Sequence, residues 1–276
     1  MKYKNYCIQY IPILENNFVW IIHNYHTCIV IDPGSGEKII KKIEEKKLIP
    51  TFIYLTHHHY DHINGIKKFL QRYPNIKIVT SKILFKKKKY LKNQILLKKK
   101  NIFFFNKNYI KTFFTPGHTK YDVSYYLKPF FFSGDLIFTG GCGNTKDGSF
   151  KKLYNSLKLI SKLPKNTIFL CSHEYSLKNF EFLSYFFKKN FYINEYFYYL
   201  KKINFKNFII TNSLKIEKKI NIFLKILNLK KNLINKPNFL NIQIKECLEY
   251  YWNDLKENKC NNFQYFKFFR KMKDVF

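Results

Sequence analysis

From Thr56 to His62 the chain reads Thr-His-His-His-Tyr-Asp-His, directly after the apolar run Thr51-Phe52-Ile53-Tyr54-Leu55. His57, His59, Asp61 and His62 thereby put four potential metal ligands into six consecutive positions. Imidazole and carboxylate at this density ask for a divalent cation of borderline character. Zinc, iron and manganese all suit the mixture, and no thiolate among the candidates chooses between them. His57 and His59 alternate on an extended segment leaving a strand, so both rings can close on one ion. Asp61 and His62 lie one turn further on, where a helix would begin, and face a neighbouring position. Two adjacent sites are implied. The alternative for any such local enrichment is a chance tract or a solvated surface run.

Three later segments argue against that alternative. Thr115-Pro116-Gly117-His118-Thr119, Phe132-Ser133-Gly134-Asp135 and Cys171-Ser172-His173-Glu174-Tyr175 each end a β-rich run in a potential ligand. Of the eight histidines in the chain, six fall in these places or in the first motif. The other two, His23 and His26, flank a predicted hairpin turn at Asn24-Tyr25 and are read as surface residues.

The elements that must position these residues follow from periodicity. Ile53 to Leu55 read as a buried parallel strand, and Asn64-Gly65-Ile66-Lys67-Lys68-Phe69-Leu70 as a helix with an apolar stripe. The first motif therefore lies where a strand hands over to a helix, the usual location of sites in α/β proteins. Up to about His173 the order is strand-rich, with helical patterns near residues 37–47, 63–71 and 150–163, which suits two sheets between helices. From Ser176 onward glycine disappears and helical spacing dominates, as at Ile216, Ile220, Phe223 and Leu224. The expected organisation is a catalytic part over residues 1–174 and a smaller helical part over 175–276, joined near 175–178. With 276 residues and 46% apolar content, the chain can bury one large core and a second, smaller one.

Composition excludes less than it suggests. Lys and Arg total 50 against 18 acidic residues, a formal charge of +32, which ordinarily points to nucleic acid. The excess is lysine, spread along the chain beside abundant Asn, Ile, Phe and Tyr, all residues with A/T-rich codons. Lys86 to Lys89 and Lys98 to Lys100 flank apolar residues as solvated faces do. No nucleic-acid partner is expected. Six cysteines, at positions 7, 28, 142, 171, 247 and 260, form no C-x-x-C pair, so neither a disulfide framework nor a thiolate zinc site is indicated. A Cys-His nucleophile is the competing chemistry, with Cys142 in a glycine-rich loop and Cys171 two residues before His173. Cys171, however, alternates with His173 along a strand and reads as core, and Cys142 reads as a small side chain in a tight turn. The N-terminal region has only short apolar runs broken by Asn, Glu and His, so no signal peptide or membrane helix is expected and the location read from it is cytoplasmic.

His57-x-His59-x-Asp61-His62 followed in order by His118, Asp135 and His173 resembles the metallo-β-lactamase superfamily. Within it the chain is similar from end to end to the hydroxyacylglutathione hydrolases, or glyoxalase II. Further segments carry that likeness: Ile31-Asp32-Pro33-Gly34, Thr115-Pro-Gly-His-Thr119, the glycine-rich run from Gly134-Asp135 to Gly143, His173-Glu174-Tyr175, Ile220-Asn-Ile-Phe-Leu-Lys225 and the closing residues 270–276. The metal motif alone specifies the superfamily, and the glycine-rich loop, the His-Glu-Tyr and the C-terminal segments narrow it.

The resemblance implies an αββα sandwich with a helical C-terminal domain. It implies two divalent ions per chain, zinc first with iron or manganese as alternatives. One would be held by His57, His59 and His118, the other by Asp61, His62 and His173, with Asp135 bridging. Asp32 is read as ordering a loop or backing a ligand rather than as a ligand itself, and His58 and Tyr60 as pointing away. The implied reaction is hydrolysis of S-D-lactoylglutathione to D-lactate and glutathione, as in methylglyoxal detoxification, by a monomer with a small-molecule substrate and no membrane partner. Asp61 and Asp135 are the expected catalytic carboxylates, Asp61 by orienting the attacking hydroxide.

Substrate recognition departs from the family pattern. The basic residue and the aromatic two positions later that usually follow the glycine-rich loop are Asn144 and Lys146 here. A Phe-Leu-Arg is Phe223-Leu224-Lys225, which exchanges a bidentate guanidinium for a point charge. Tyr175 is retained, and Lys146 and Lys225 are the candidates to meet a glutathione carboxylate. The usual Gly-Gly after the last histidine of the first motif is Asn64-Gly65. Rival readings are a nuclease of the same superfamily, which would bring an RNA-binding insertion, a mononuclear iron persulfide dioxygenase, which typically has a shorter helical tail, and a non-catalytic remnant, which would not keep seven ligands.

Overall fold

The computed structural model describes residues 1–3, 5–82, 92–98, 101–188, 190–228 and 261–276. Seven strands form the first sheet in chain order: β1 (Lys2–Tyr3), β2 (Tyr6–Pro12), β3 (Phe18–His23), β4 (Thr27–Ile31), β5 (Ile49–Tyr54), β6 (Lys77–Thr80) and β7 (Gln94–Leu96). The first four pair antiparallel and β4 to β7 pair parallel. The next strands are β8 (Ile102–Phe105), β9 (Asn108–Phe114), β10 (Val123–Leu127), β11 (Phe130–Gly134), β12 (Ile137–Phe138), β13 (Gly141–Cys142) and β14 (Ile168–Cys171). Five of them make the second sheet, ordered β14-β11-β10-β9-β8, while β12 and β13 form a small hairpin.

Strand alternation explains the layers. In β3, Trp20 and Ile22 face the second sheet, in one core with Tyr54, Tyr125, Phe132 and Leu170. Val19 and Ile21 face the opposite way, onto Ile39 and Ile43 of helix α1 (Glu37–Glu45). A short helix α2 (Tyr60–Ile63) is followed by α3 (Ile66–Arg72), whose Ile66, Phe69 and Leu70 complete that outer layer. Beyond the second sheet, Phe131 and Phe169 pack on Leu153, Leu157 and Ile160 of helix α4 (Phe150–Ile160). The result is an αββα sandwich. Two hydrogen bonds cross its centre: Trp20 Nε1 donates to the Cys171 carbonyl at 2.8 Å and Tyr125 Oη to the Leu55 carbonyl at 2.6 Å. Each fully buried side chain of this size contributes about 1.5 to 3 kcal/mol.

Among the described residues that follow, the regular elements of more than three residues after β14 are helices: α5 (Ser176–Phe186), α6 (Phe191–Lys201), α7 (Leu214–Ile220), α8 (Ile222–Lys225) and α9 (Asn262–Val275). Phe180, Phe223 and Phe266 from these helices share one core cluster with Phe131 and Leu153 of the sandwich. Polar side chains from the helices grip the backbone of the β12-β13 hairpin. Asn179 Nδ2 donates to the Thr139 carbonyl at 2.8 Å, Asn221 Nδ2 to the Gly141 carbonyl at 2.9 Å, and Arg270 Nη1 to the Cys142 carbonyl at 2.7 Å. Among the described residues, no helix is long and apolar enough to cross a membrane.

Several sequence expectations change. His23 is buried rather than a surface residue, because it ends β3 opposite Cys7, and the turn folds Tyr25 back so that its N–H lies 3.3 Å from Nδ1 and its ring edge covers the imidazole; His26 is exposed. Ile216 is 39% exposed and leaves the apolar stripe assigned to it. The helical spacing is interrupted after Ile220, where the Asn221 side chain accepts the Phe223 N–H and starts a new helix. The lysine run 86–89, Lys99, Lys100 and the cysteines at 247 and 260 lie outside the described residues.

Candidate metal centre

All seven histidine and aspartate candidates lie at strand ends or in the turns that follow them. His57 and His59 sit on the extended stretch leaving β5, and Asp61 and His62 in the helical turn that starts at Tyr60. His118 follows β9, Asp135 follows β11 and His173 follows β14. Those three strands run the same way, since β9 and β11 both pair antiparallel with β10, and β14 pairs parallel with β11. One sheet supplies four of the residues and the other three, and they meet along one rim of the sandwich.

Close approach of backbone makes the meeting possible at two glycines. Gly134 has φ +52°, and a Cβ there would lie 2.4 Å from Thr56 Oγ1, so only glycine brings Asp135 against the 57–62 segment. A Cβ on Gly143 would lie 2.1 Å from the Asp135 carbonyl oxygen, which keeps the returning loop beneath Asp135.

The inward-facing atoms form three overlapping groups able to hold a cation: His57, His59 and His118; His57, His62 and Asp135; and Asp61, His62 and His173. His59 Nδ1 lies 3.1 Å from His57 Nε2 and 3.0 Å from His118 Nε2. Asp61 Oδ2 lies 3.3 Å from His173 Nε2 and 3.5 Å from His62 Nε2. Asp135 spans the two sets. Its Oδ1 is 3.5 Å from His62 Nε2 and 3.4 Å from His173 Nε2, and its Oδ2 is 3.6 Å from His118 Nε2.

Each imidazole has a distinct partner on its outward nitrogen, which sets which nitrogen faces inward. His57 Nδ1 meets Thr56 Oγ1 at 3.0 Å, His62 Nδ1 meets Asp32 Oδ2 at 3.0 Å, and His118 Nδ1 meets the Asn144 carbonyl at 3.0 Å. His173 Nδ1 meets Asn16 Oδ1 at 3.1 Å, and His59 Nε2 meets Asp147 Oδ2 at 2.8 Å. Asp32 also accepts from the Thr56 N–H at 2.7 Å, so it orders the loop and backs a histidine at once. Asn17 Nδ2 donates to Asp61 Oδ2 at 2.7 Å.

Electrostatics mark the cluster as built for positive charge. Burial works against ionisation of Asp135, yet His173, His62 and His57 hold its carboxyl well below the usual range. Asp61 is likewise held low against burial, by the His173 hydrogen bond and by His62. Burial alone would lower His173, but Asp135 and Asp61 raise it to about 10. His57 is pushed well below its ordinary value by burial and by neighbouring His62. Asp135 Oδ1 and His62 Nε2 are moreover buried with no hydrogen-bond partner, an arrangement that costs about 1 to 3 kcal/mol per group when nothing else binds them. Five imidazole nitrogens and two carboxylates converging in this way fit divalent metal, whose binding would displace any proton from the inward nitrogens into solvent.

The expected substrate contacts are more dispersed. Tyr175 stacks on His173 at 4.9 Å with 6° between the rings and meets the Phe138 edge at 5.1 Å, so it borders the cluster. Asn144 contributes its carbonyl to His118 and turns its side-chain oxygen to the Lys146 N–H at 3.2 Å. Lys146 is exposed, while Lys225 is half-buried in α8, where burial lowers its ammonium. Tyr60 is 72% exposed, and His58 joins none of the three groups. The cysteine chemistry loses its footing, since burial pushes the Cys142 thiol up to about 11 and also holds the Cys171 thiol well above its ordinary value.

Asn16, Asn17, Asp122 and Asp147 escaped the sequence reading. Buried Asp122 accepts from the Gly117 N–H at 3.0 Å and the Thr119 N–H at 2.7 Å, and so shapes the turn that carries His118. Asp147-Gly148 reads in sequence as a turn, and nothing local ties it to His59.

Comparison with known proteins bears on the same residues. The profile of the metallo-beta-lactamase superfamily matches residues 13–173. The chain is 42% identical over 222 residues to the hydroxyacylglutathione hydrolase of Buchnera aphidicola subsp. Baizongia pistaciae, covering 80% of this chain and 87% of that protein. It is 31% identical over 270 residues to the hydroxyacylglutathione hydrolase of Pectobacterium atrosepticum, covering 96% of this chain and 98% of that one. Among solved structures, ETHE1 from Myxococcus xanthus superposes with a TM-score of 0.59 at 20% identity, over 86% of this chain and 95% of that one, a likeness of fold.

Proposed function

Because the chain belongs to the metallo-beta-lactamase superfamily and, within it, to the hydroxyacylglutathione hydrolases, we propose that it hydrolyses S-D-lactoylglutathione to D-lactate and glutathione at a pair of divalent metal ions. The observation that carries the reading is Asp135, whose Oδ1 faces His62 and His173 while Oδ2 faces His118. One carboxylate is thus shared between two ligand sets. His57, His59 and His118 would hold one ion, and Asp61, His62 and His173 the other. Zinc is the first candidate and iron or manganese the alternatives, since nitrogen and oxygen donors suit all three.

When bound, the metal pair lowers the pKa of a water so that hydroxide is available near neutral pH, and it polarises the carbonyl under attack. The chain's own residues do the rest. Asp61, held by Asn17, presents its Oδ2 beside His173 and would orient the hydroxide. Hydroxide adds to the thioester carbon, the C–S bond breaks with its electron pair on sulfur, and the thiolate leaves without obligatory protonation. Tyr175, fixed between His173 and Phe138, and Lys225, a half-buried cation, are the proposed contacts for the glutathione part. Lys146 and Asn144 stand on the loop that also carries Asp147, with Asn144 acting through its carbonyl on His118.

The test is to reconstitute the purified chain with zinc and to follow D-lactate and free thiol released from S-D-lactoylglutathione. Equal release of both, lost on chelation and regained on adding zinc, is the expected result. Oxygen uptake on a persulfide substrate, or cleavage of RNA, in place of thiol release would overturn it.

A further inference from the structure

We propose that Asp147 is a positioning residue for His59, holding the ring so that Nδ1 points at the cation shared with His57 and His118. The inference rests on the metal reading above. His59 Nδ1 faces His57 Nε2 and His118 Nε2 at 3.1 and 3.0 Å, so its Nε2 must point outward, and there Asp147 Oδ2 lies 2.8 Å away. An imidazole that gives one nitrogen to a cation carries its proton on the other, and a carboxylate on that proton fixes both the tautomer and the ring plane.

His59 needs such support more than its companions do. Its side chain is 29% exposed, against 1% for His62, 6% for His118 and 4% for His173. Those three rings are buried. The His59 ring is free on its outer edge, and a charge-assisted hydrogen bond there does what burial does for the rest. The side chain of Asp147 is itself 61% exposed, but its backbone is pinned. It pairs with Thr119 as an isolated bridge, next to His118, and the Ser149 N–H donates to the Gly117 carbonyl at 3.0 Å. A Cβ on the intervening Gly148 would sit 1.9 Å from that same carbonyl oxygen, so the loop lies flat against the turn that carries His118. The 147 loop therefore links two ligands of one ion: its backbone locates the His118 turn and its carboxylate aims His59.

The experiment measures zinc binding directly, by competition with a chromophoric chelator, on the full chain and on Asp147→Ala, Asp147→Asn and His59→Ala. Asp147→Ala should weaken one of two zinc ions by about 10- to 100-fold, the usual effect of removing such a partner, and leave the other unchanged. Asp147→Asn, which keeps an acceptor but loses the charge, should fall between. The metal-free melting temperature should not move, and the lost hydrolysis should return at high zinc, which a merely structural defect would not show. Two ions bound equally tightly by wild type and Asp147→Ala would overturn the role of Asp147 alone. A wild-type chain that binds no zinc, or that loses none on His59→Ala, would overturn the metal reading and this inference with it.

Discussion

The carboxylate of Glu217 accepts the backbone N–H of Gly140 at 3.1 Å, across 77 residues of sequence. Asn212 Nδ2 donates to the same carboxylate at 2.8 Å and Asn221 Nδ2 at 3.1 Å. Glu217 is 1% exposed, so a helix of the C-terminal part places an acceptor inside the loop that leads from Asp135 to His118's partner Asn144.

Burial raises Glu217 to about 7 against an ordinary value of 4.5, with the three donors pulling the other way. A carboxyl held more basic in the folded chain favours folding fully below its unfolded pKa and loses that advantage as pH rises through its folded value. The stability from this group should therefore fall by on the order of 3 kcal/mol between about pH 4.5 and pH 8. Glu217→Gln removes the titration. Urea unfolding of both proteins at the two pH values should show the difference between them shifting in favour of the variant at the higher pH, and a difference independent of pH would assign the titration elsewhere.

Asp135→Ala should lower kcat/KM by about a thousandfold or more, since several kcal/mol of transition-state stabilisation depend on the shared carboxylate. Far-UV circular dichroism should stay that of the wild type, because Asp135 lies in a turn after β11 and outside the packed core. Near wild-type turnover would make Asp135 a structural residue only.

Elemental analysis of reconstituted chain should give two ions, because seven donors exceed what one tetrahedral site needs. Asp61→Ala and His173→Ala should each reduce the count to about one. A single ion in the wild type, unchanged in both variants, would leave one site.

Lys225→Ala should raise KM roughly fivefold, the upper end of what a partly exposed ion pair is worth, with kcat nearly unchanged. The ionic-strength dependence of kcat/KM should weaken in the same variant. Lys225→Arg should restore or improve binding, since a guanidinium meets a carboxylate with two parallel bonds. An unchanged KM in Lys225→Ala would move the contact to Lys146 or to residues 270–273.

The inner face of the centre was legible because its residues are punctuation: the histidines and aspartates stand just after apolar runs stop, and a short unbroken apolar run ending in polar residues shows in sequence as a buried strand. The layers were legible because β3 and β5 carry their inward and outward residues in alternation. What the outer nitrogens touch was not. Asn16 reaches His173 across 157 residues and Asp147 reaches His59 across 88, and no local pattern records a contact between side chains so far apart. His23 misled because a hairpin turn is usually exposed, whereas Tyr25 folds back over this one. The break at Asn221 was hidden because its apolar neighbours keep helical spacing on both sides of it.

Four of the seven proposed ligand positions leave one sheet and three leave the other, and the last of them is His173. Neither sheet alone can assemble the centre. Thr56 to His62 precede His173 by more than a hundred residues, and His118 and Asp135 fall between them. The proposed centre therefore depends on the packing of the two sheets against each other, which the buried Trp20 and Tyr125 hydrogen bonds tie together, and any change that loosens that packing should be felt at the centre before it is felt in either sheet.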